Sequence, residues 1–288
     1  MLSFWTWTLA AVIALAFSPL AMKMALSAGG SPLLVALSTA LFAALLVCGW
    51  MLVRNKAQRL PWMPWRQSLA LLLVGALSSG LVPLFGILAM TETSASNRAL
   101  FQSAYPAATA LAARFLLGER LGPLSYVLIA LVCTGLVLMN VESGPGLSIL
   151  DWPFWLLLAT LPLIGLADVI AKQELIDQPP EIVAAGRAVG GVLILLLALP
   201  WALPGLAAAS QVAWHWLLLG GLCMGVFAVA LYQVFARTEA SLAASLMALA
   251  PVLTLAAEAA LLGVSLNAWQ WAGFTLVLLA LLWLSRQV

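Results

Sequence analysis

The polar chemistry of this chain concentrates in one short stretch. Asn97, Phe101 and Tyr105 recur every four residues and share one helix face, with Arg98 and Gln102 beside them. Inside a bilayer such groups would be unsatisfied, so they must face protein or water. Two uses fit: hydrogen bonding between helices as packing glue, or lining a cavity that holds a solute. Ser79, Phe85, Phe227, Tyr232 and Gln233, from two other apolar segments, are candidates to complete that cavity.

Ionisable groups inside apolar segments are functional suspects by default. At about 1.5 Å per residue, Arg98 lies about 6 Å into its segment, Asp168 roughly 24 Å along another, and Glu258 about 27 Å along a third. These depths leave no segment with a charge at its centre. Lys23, Asp168, Lys172 and Glu258 are the gating or coupling candidates. Asp168 has Lys172 four residues on, so a surface ion pair is its alternative reading. A phosphate-bearing or multiply anionic solute would need fixed Lys or Arg at mid-depth, which points to a neutral or zwitterionic, partly apolar one.

Enzyme chemistry finds no support. There is no nucleophile with a base, no phosphate-binding loop and no dinucleotide-binding glycine pattern. His215 is the single histidine, and Cys48, Cys133 and Cys223 sit apart in apolar runs, so no metal or cofactor site is expected. Nucleic acid is excluded as a partner, with 8% charged residues and a net charge of +2. What remains is a small-molecule solute and membrane lipid.

The elements that position these residues follow from composition. With 65% hydrophobic residues and a mean hydropathy of +1.12, the chain has the bilayer as its solvent. Crossings of about 20 apolar residues are expected at 4–25, 32–53, 67–90, 94–117, 122–141, 152–172, 181–201, 213–235, 240–262 and 267–285. The first of these lacks a basic start and a cleavage site, so it counts as a crossing and not a signal peptide. A cytoplasmic N-terminus puts Arg54, Lys56, Arg59, Arg66, Arg114, Arg120, Lys172, Arg187, Arg237 and Arg286 inside, leaving Lys23 and Arg98 outside. That bias sets both termini in the cytoplasm. The 13 tryptophans fall at expected segment ends, as interfacial belts do.

The chain also repeats itself. At an offset of 145 residues Ala95 and Ser96 align with Ala240 and Ser241, Pro106 with Pro251, Thr109 with Thr254, and Leu117-Gly118 with Leu262-Gly263. At an offset of 149, Lys23 aligns with Lys172. Two units follow, 1–143 and 144–288, of five crossings each. An odd number inverts the second unit in the membrane, a plan used by secondary transporters. Pro106 and Pro251 are expected as kinks inside their helices, either as bending points or as fixed bends. The run Gly186, Gly190, Gly191 is a close-packing signal.

These residues resemble the drug/metabolite transporter superfamily, specifically its EamA-type ten-span members. The first copy reads Ser94-Ala95-Ser96, Pro106 to Thr109, and Leu117-Gly118-Glu119-Arg120; the second reads Ala240-Ser241, Pro251 to Thr254, and Leu262-Gly263-Val264. Val264 departs from the usual Glu, and Ser38 stands where many members carry an Arg, which Arg187 supplies in the other half. The resemblance implies an all-α integral membrane protein of two inverted five-helix repeats around one pathway, with the fourth helix against it. It further implies export, by alternating access across a bacterial inner membrane, of small amphipathic metabolites such as aromatic and other apolar amino acids. A broad drug or lipophilic-cation exporter, a lipid flippase and a non-transporting membrane partner are the alternatives.

Overall fold

The computed structural model describes residues 4–54, 63–102, 104–116, 122–138, 151–200, 211–237, 247, 249–263 and 267–284. It is all-helical there: α1 Phe4–Ser27, α2 Pro32–Arg54, α3 Trp65–Ala89, α4 Ala95–Gln102, α5 Tyr105–Leu116, α6 Pro123–Leu138, α7 Trp152–Asp177, α8 Pro180–Leu196, α9 Gln211–Phe235, α10 Ala250–Leu262 and α11 Ala268–Leu284. Five stretches are long and apolar enough to cross a membrane: α1, α2, α3, α7, and Ala213–Phe235 within α9. The other helices are shorter.

Local chemistry sets the boundaries. After α1 the backbone turns left-handed at Gly29 (φ 92), and Gly30 donates to the Ala25 carbonyl at 3.0 Å, which satisfies the exposed helix end. Ser31 Oγ then accepts the Leu34 N–H at 3.3 Å, and Pro32 opens α2 where its missing donor costs nothing. Pro179-Pro180 divides α7 from α8 in the same way.

Within α3, residues Ala76–Leu81 form a π turn. Pro83 lies two residues past its end. A proline lacks the N–H for a bond one turn back, and its ring collides with that turn's carbonyl. The wider turn relieves the clash.

The helices pack in a pattern that survives exchange of the two halves. The α1–α9 contact has its counterpart in α7–α3, α2–α9 in α8–α3, and α5–α7 in α10–α1. The α2–α8 and α6–α11 contacts map onto themselves, as pairs across an approximate two-fold axis must. Small residues make the close approaches. A Cβ on Gly75 would strike the backbone of Arg187 and Gly190 on α8, and one on Gly225 would lie 3.2 Å from the Ala43 carbonyl on α2. With no hydrophobic force between helices in lipid, such backbone proximity is what holds them together.

Two expectations change here. The crossing expected at 94–117 is two helices, α4 ending at Gln102 and α5 beginning at Tyr105, with Ala104 in a turn. Pro106 and Pro251 are not mid-helix kinks: α5 and α10 each begin one residue before their proline, which therefore starts a helix.

Candidate functional site

A cavity of about 890 Å³, its mouth included, lies between the two halves and is lined from α1, α3, α4, α5, α7, α8, α9 and α10. One wall is polar. Arg98, Gln102, Tyr105 and Thr109 all line it, at a spacing of four, three and four residues that keeps them on one side of α4 and α5. The lining from α9 and the second repeat is apolar apart from Thr254, with Met224, Phe227 and Leu231 of α9, and Met247, Ala250 and Pro251. Ser18 also lines the cavity, and its buried hydroxyl has no hydrogen-bond partner among the described residues.

The polar face is turned from the expected one. Phe101 points away from the cavity, into a core with Ala104, Leu157 and Phe274, and meets Phe154 edge-on at 5.5 Å. Asn97 serves the start of α4: its Nδ2 donates to Thr93 Oγ1 at 2.7 Å, and its backbone N–H bonds to Ser94 Oγ at 3.0 Å. Ser94 is thus an N-cap. Of the facing residues on the second repeat, Met247 and Ala250 line the cavity, while Leu242, Ala243 and Leu246 lie outside the described residues.

Arg98, Asp168 and Arg187, none of them expected at the centre of a segment, all line the cavity. Arg187, expected at the end of a segment, is 2% exposed. Its Nε donates to Ser79 Oγ at 2.9 Å and its Nη1 to the Tyr232 hydroxyl at 3.4 Å. The guanidinium also stacks over Phe227 and Tyr232, at 5.8 and 5.7 Å from the ring centres. Ser79 and Tyr232 therefore hold Arg187 and do not themselves line the main cavity. Phe227 does both. Phe85 is half-buried outside the lining, and Gln233 turns to the far end of α9, where its Nε2 donates to Glu181 at 2.8 Å.

Asp168 does not make the surface pair expected of it. Lys172 is exposed, while the Asp168 carboxylate accepts from Thr109 Oγ1 at 3.3 Å and feels the charge of Arg187. The repeat-related Thr254 does a parallel job in the other half, donating to the Ala16 carbonyl of α1 at 2.9 Å.

Lys23 and Glu258 tie together one end of the cavity without lining it. Lys23 Nζ donates to the carbonyls of Met90 and Thr93, at 2.6 and 2.8 Å, where α3 ends. Glu258, buried on α10, accepts the Ala95 N–H at 2.9 Å. A carboxylate at a helix start and an ammonium at a helix end each satisfy orphan backbone groups and oppose the helix dipole. The Glu258 contact joins the second half to the first.

Sequence reading missed Arg187 and Thr109 and, on α9, Met224 and Leu231. One signal was present: Arg187 sits among Gly186, Gly190 and Gly191, and an arginine inside a stretch that packs backbone to backbone has nowhere to point but inward.

Comparison with known proteins adds the lineage. Residues 3–141 and 151–286 each match the EamA-like transporter family. No curated protein matches the chain. A solved crystal structure is similar to it at 17% identity and a TM-score of 0.65, covering 96% of this chain and 94% of its own, which extends the likeness of fold to nearly every residue.

Proposed function

Because the chain belongs to the EamA-like transporter family, matched once in each half, and is a multi-pass membrane transporter, we propose that it exports small amphipathic metabolites across a bacterial inner membrane. Amino acids with aromatic or apolar side chains are the first candidates. Ten crossings, both termini in the cytoplasm, and units 1–143 and 144–288 inverted to one another belong to this reading. So does transport by alternating access.

The observation that carries it is the cavity at the junction of the halves, polar on the α4–α5 side and, apart from Thr254, apolar on the α9–α10 side. A solute with one polar end and a hydrophobic body matches both walls. Export of lipophilic cations is less favoured, since the described lining has two guanidinium groups against the one carboxylate of Asp168, and Glu258 is committed to Ala95.

The test is counterflow of labelled tryptophan, phenylalanine and threonine in proteoliposomes of the pure protein, with and without a pH gradient. Saturable exchange competed by other aromatic amino acids is the expected result. Folded protein that moves no amino acid would reject this substrate class.

A further inference from the structure

Within that transport reading, we propose that Arg98 anchors a single carboxylate carried by the solute, and that the solute's amino group is not read at the same place.

Arg98 is 3% exposed and lines the cavity. A guanidinium offers five N–H donors. Among the described residues Arg98 finds only sulfur: Met22 Sδ at 3.1 Å and Met90 Sδ at 4.0 Å. Thioethers are weak acceptors, and a buried cation without a strong acceptor is costly. Arg187, equally buried in the same lining, shows the contrast, with two hydroxyls, two aromatic faces and the charge of Asp168. One guanidinium of the cavity is satisfied by the protein and the other is left for a ligand.

The placement of Arg98 is built in from two sides. It lies in the first turn of α4, which Ser94 and Glu258 fix by capping. Gly86 of α3 leaves the space its side chain fills: a Cβ there would lie 2.5 Å from Arg98 Nε and 2.9 Å from Cζ. A fixed guanidinium fork matches a carboxylate with two parallel hydrogen bonds.

Charge count limits the anion. The remaining polar groups on the α4–α5 wall, Gln102, Tyr105 and Thr109, are neutral, and Arg187 is offset by Asp168, so a monoanion is balanced here and a phosphate ester is not. Asp168 is the one carboxylate among the described lining residues and pairs with Thr109, eleven positions beyond Arg98. An unbroken helix would set those two backbone positions about 16 Å apart. The amino and carboxyl groups of an α-amino acid share one carbon and cannot reach both. Removing the amino group should therefore cost little binding.

The experiment is thermal unfolding of the purified protein titrated with 3-phenylpropionate, 3-phenylpropionamide, phenethylamine and chloride. The expected result is stabilisation by the acid, with none of comparable size from the other three. Arg98→Gln and Gly86→Ala should each weaken the acid's apparent affinity at least about tenfold, the scale of a lost charge-assisted pair. Arg98→Lys should keep part of it. Gly86→Ala displaces only the tip of a flexible side chain, so it tests the site without deleting the charge. Equal stabilisation by the amide or by chloride, no stabilisation by the acid, or unchanged acid binding in Arg98→Gln would each overturn the assignment. Amino-acid counterflow that persists alongside any of these leaves transport standing and removes only the anchor. Acid binding without any flux does the reverse.

Discussion

Asp168 is the coupling candidate of this cavity: among the described residues it is the carboxylate that lines it, and it answers to both Thr109 and Arg187. Asp168→Asn should leave counterflow exchange intact and abolish the extra accumulation driven by a pH gradient, read from the same proteoliposomes with and without that gradient. The residue types of the site were legible in the sequence, since a polar stretch in an apolar chain has to face inward. Their rotation was not. Asn97, Phe101 and Tyr105 satisfy helical periodicity as well as Arg98, Gln102, Tyr105 and Thr109 do, and one residue of difference is a turn of about 100°. Depth misled in a similar way: Asp168 was placed near a surface by counting along its helix, yet α7 runs on to Asp177 and keeps Asp168 over the cavity.

Among the elements, the contacts between helix ends and between glycines are the ones to perturb. Glu258→Gln removes the charge from the cap on α4 and should weaken it by about 1 kcal/mol. In a background lacking Cys48, Cys133 and Cys223, a cysteine at Ala99 should then react faster with a thiol reagent, because the tied end of the cavity opens more often. Gly75→Ala pushes a methyl into the backbone of α8 and should lower stability by about 1–3 kcal/mol in thermal unfolding. Gly49→Ala is the control, having open space around it. The existence and spacing of the helices could be read from apolar runs alone, and the structure places a helix in each expected crossing. The turn at Ala104 could not, because a proline marks where a helix starts as readily as where one bends.

For the molecule as a whole, the exchangeable packing of the halves predicts opposite orientation in the membrane. Thr91 and Lys172 are both exposed, so cysteines placed there should react with an impermeant reagent from opposite sides, Thr91 from outside and Lys172 from inside. Labelling of both from one side would reject the inverted arrangement. The repeat was visible in the sequence through Pro, Thr, Gly and Lys matches, but its symmetry of contact needed the coordinates. Those coordinates also show how two duplicated copies come to differ. Gly75 and Gly80 match Gly220 and Gly225 at one constant offset, so neither copy has gained a residue between them. Yet α3 makes a π turn there, beside Pro83, while α9 runs through as a regular helix with Ala228 at the matching place. Past that turn the first copy is wound differently from the second, and it is this stretch that brings Gly86 against Arg98. In evolutionary terms, two copies of one repeat can come to differ in winding with no insertion or deletion between these glycines.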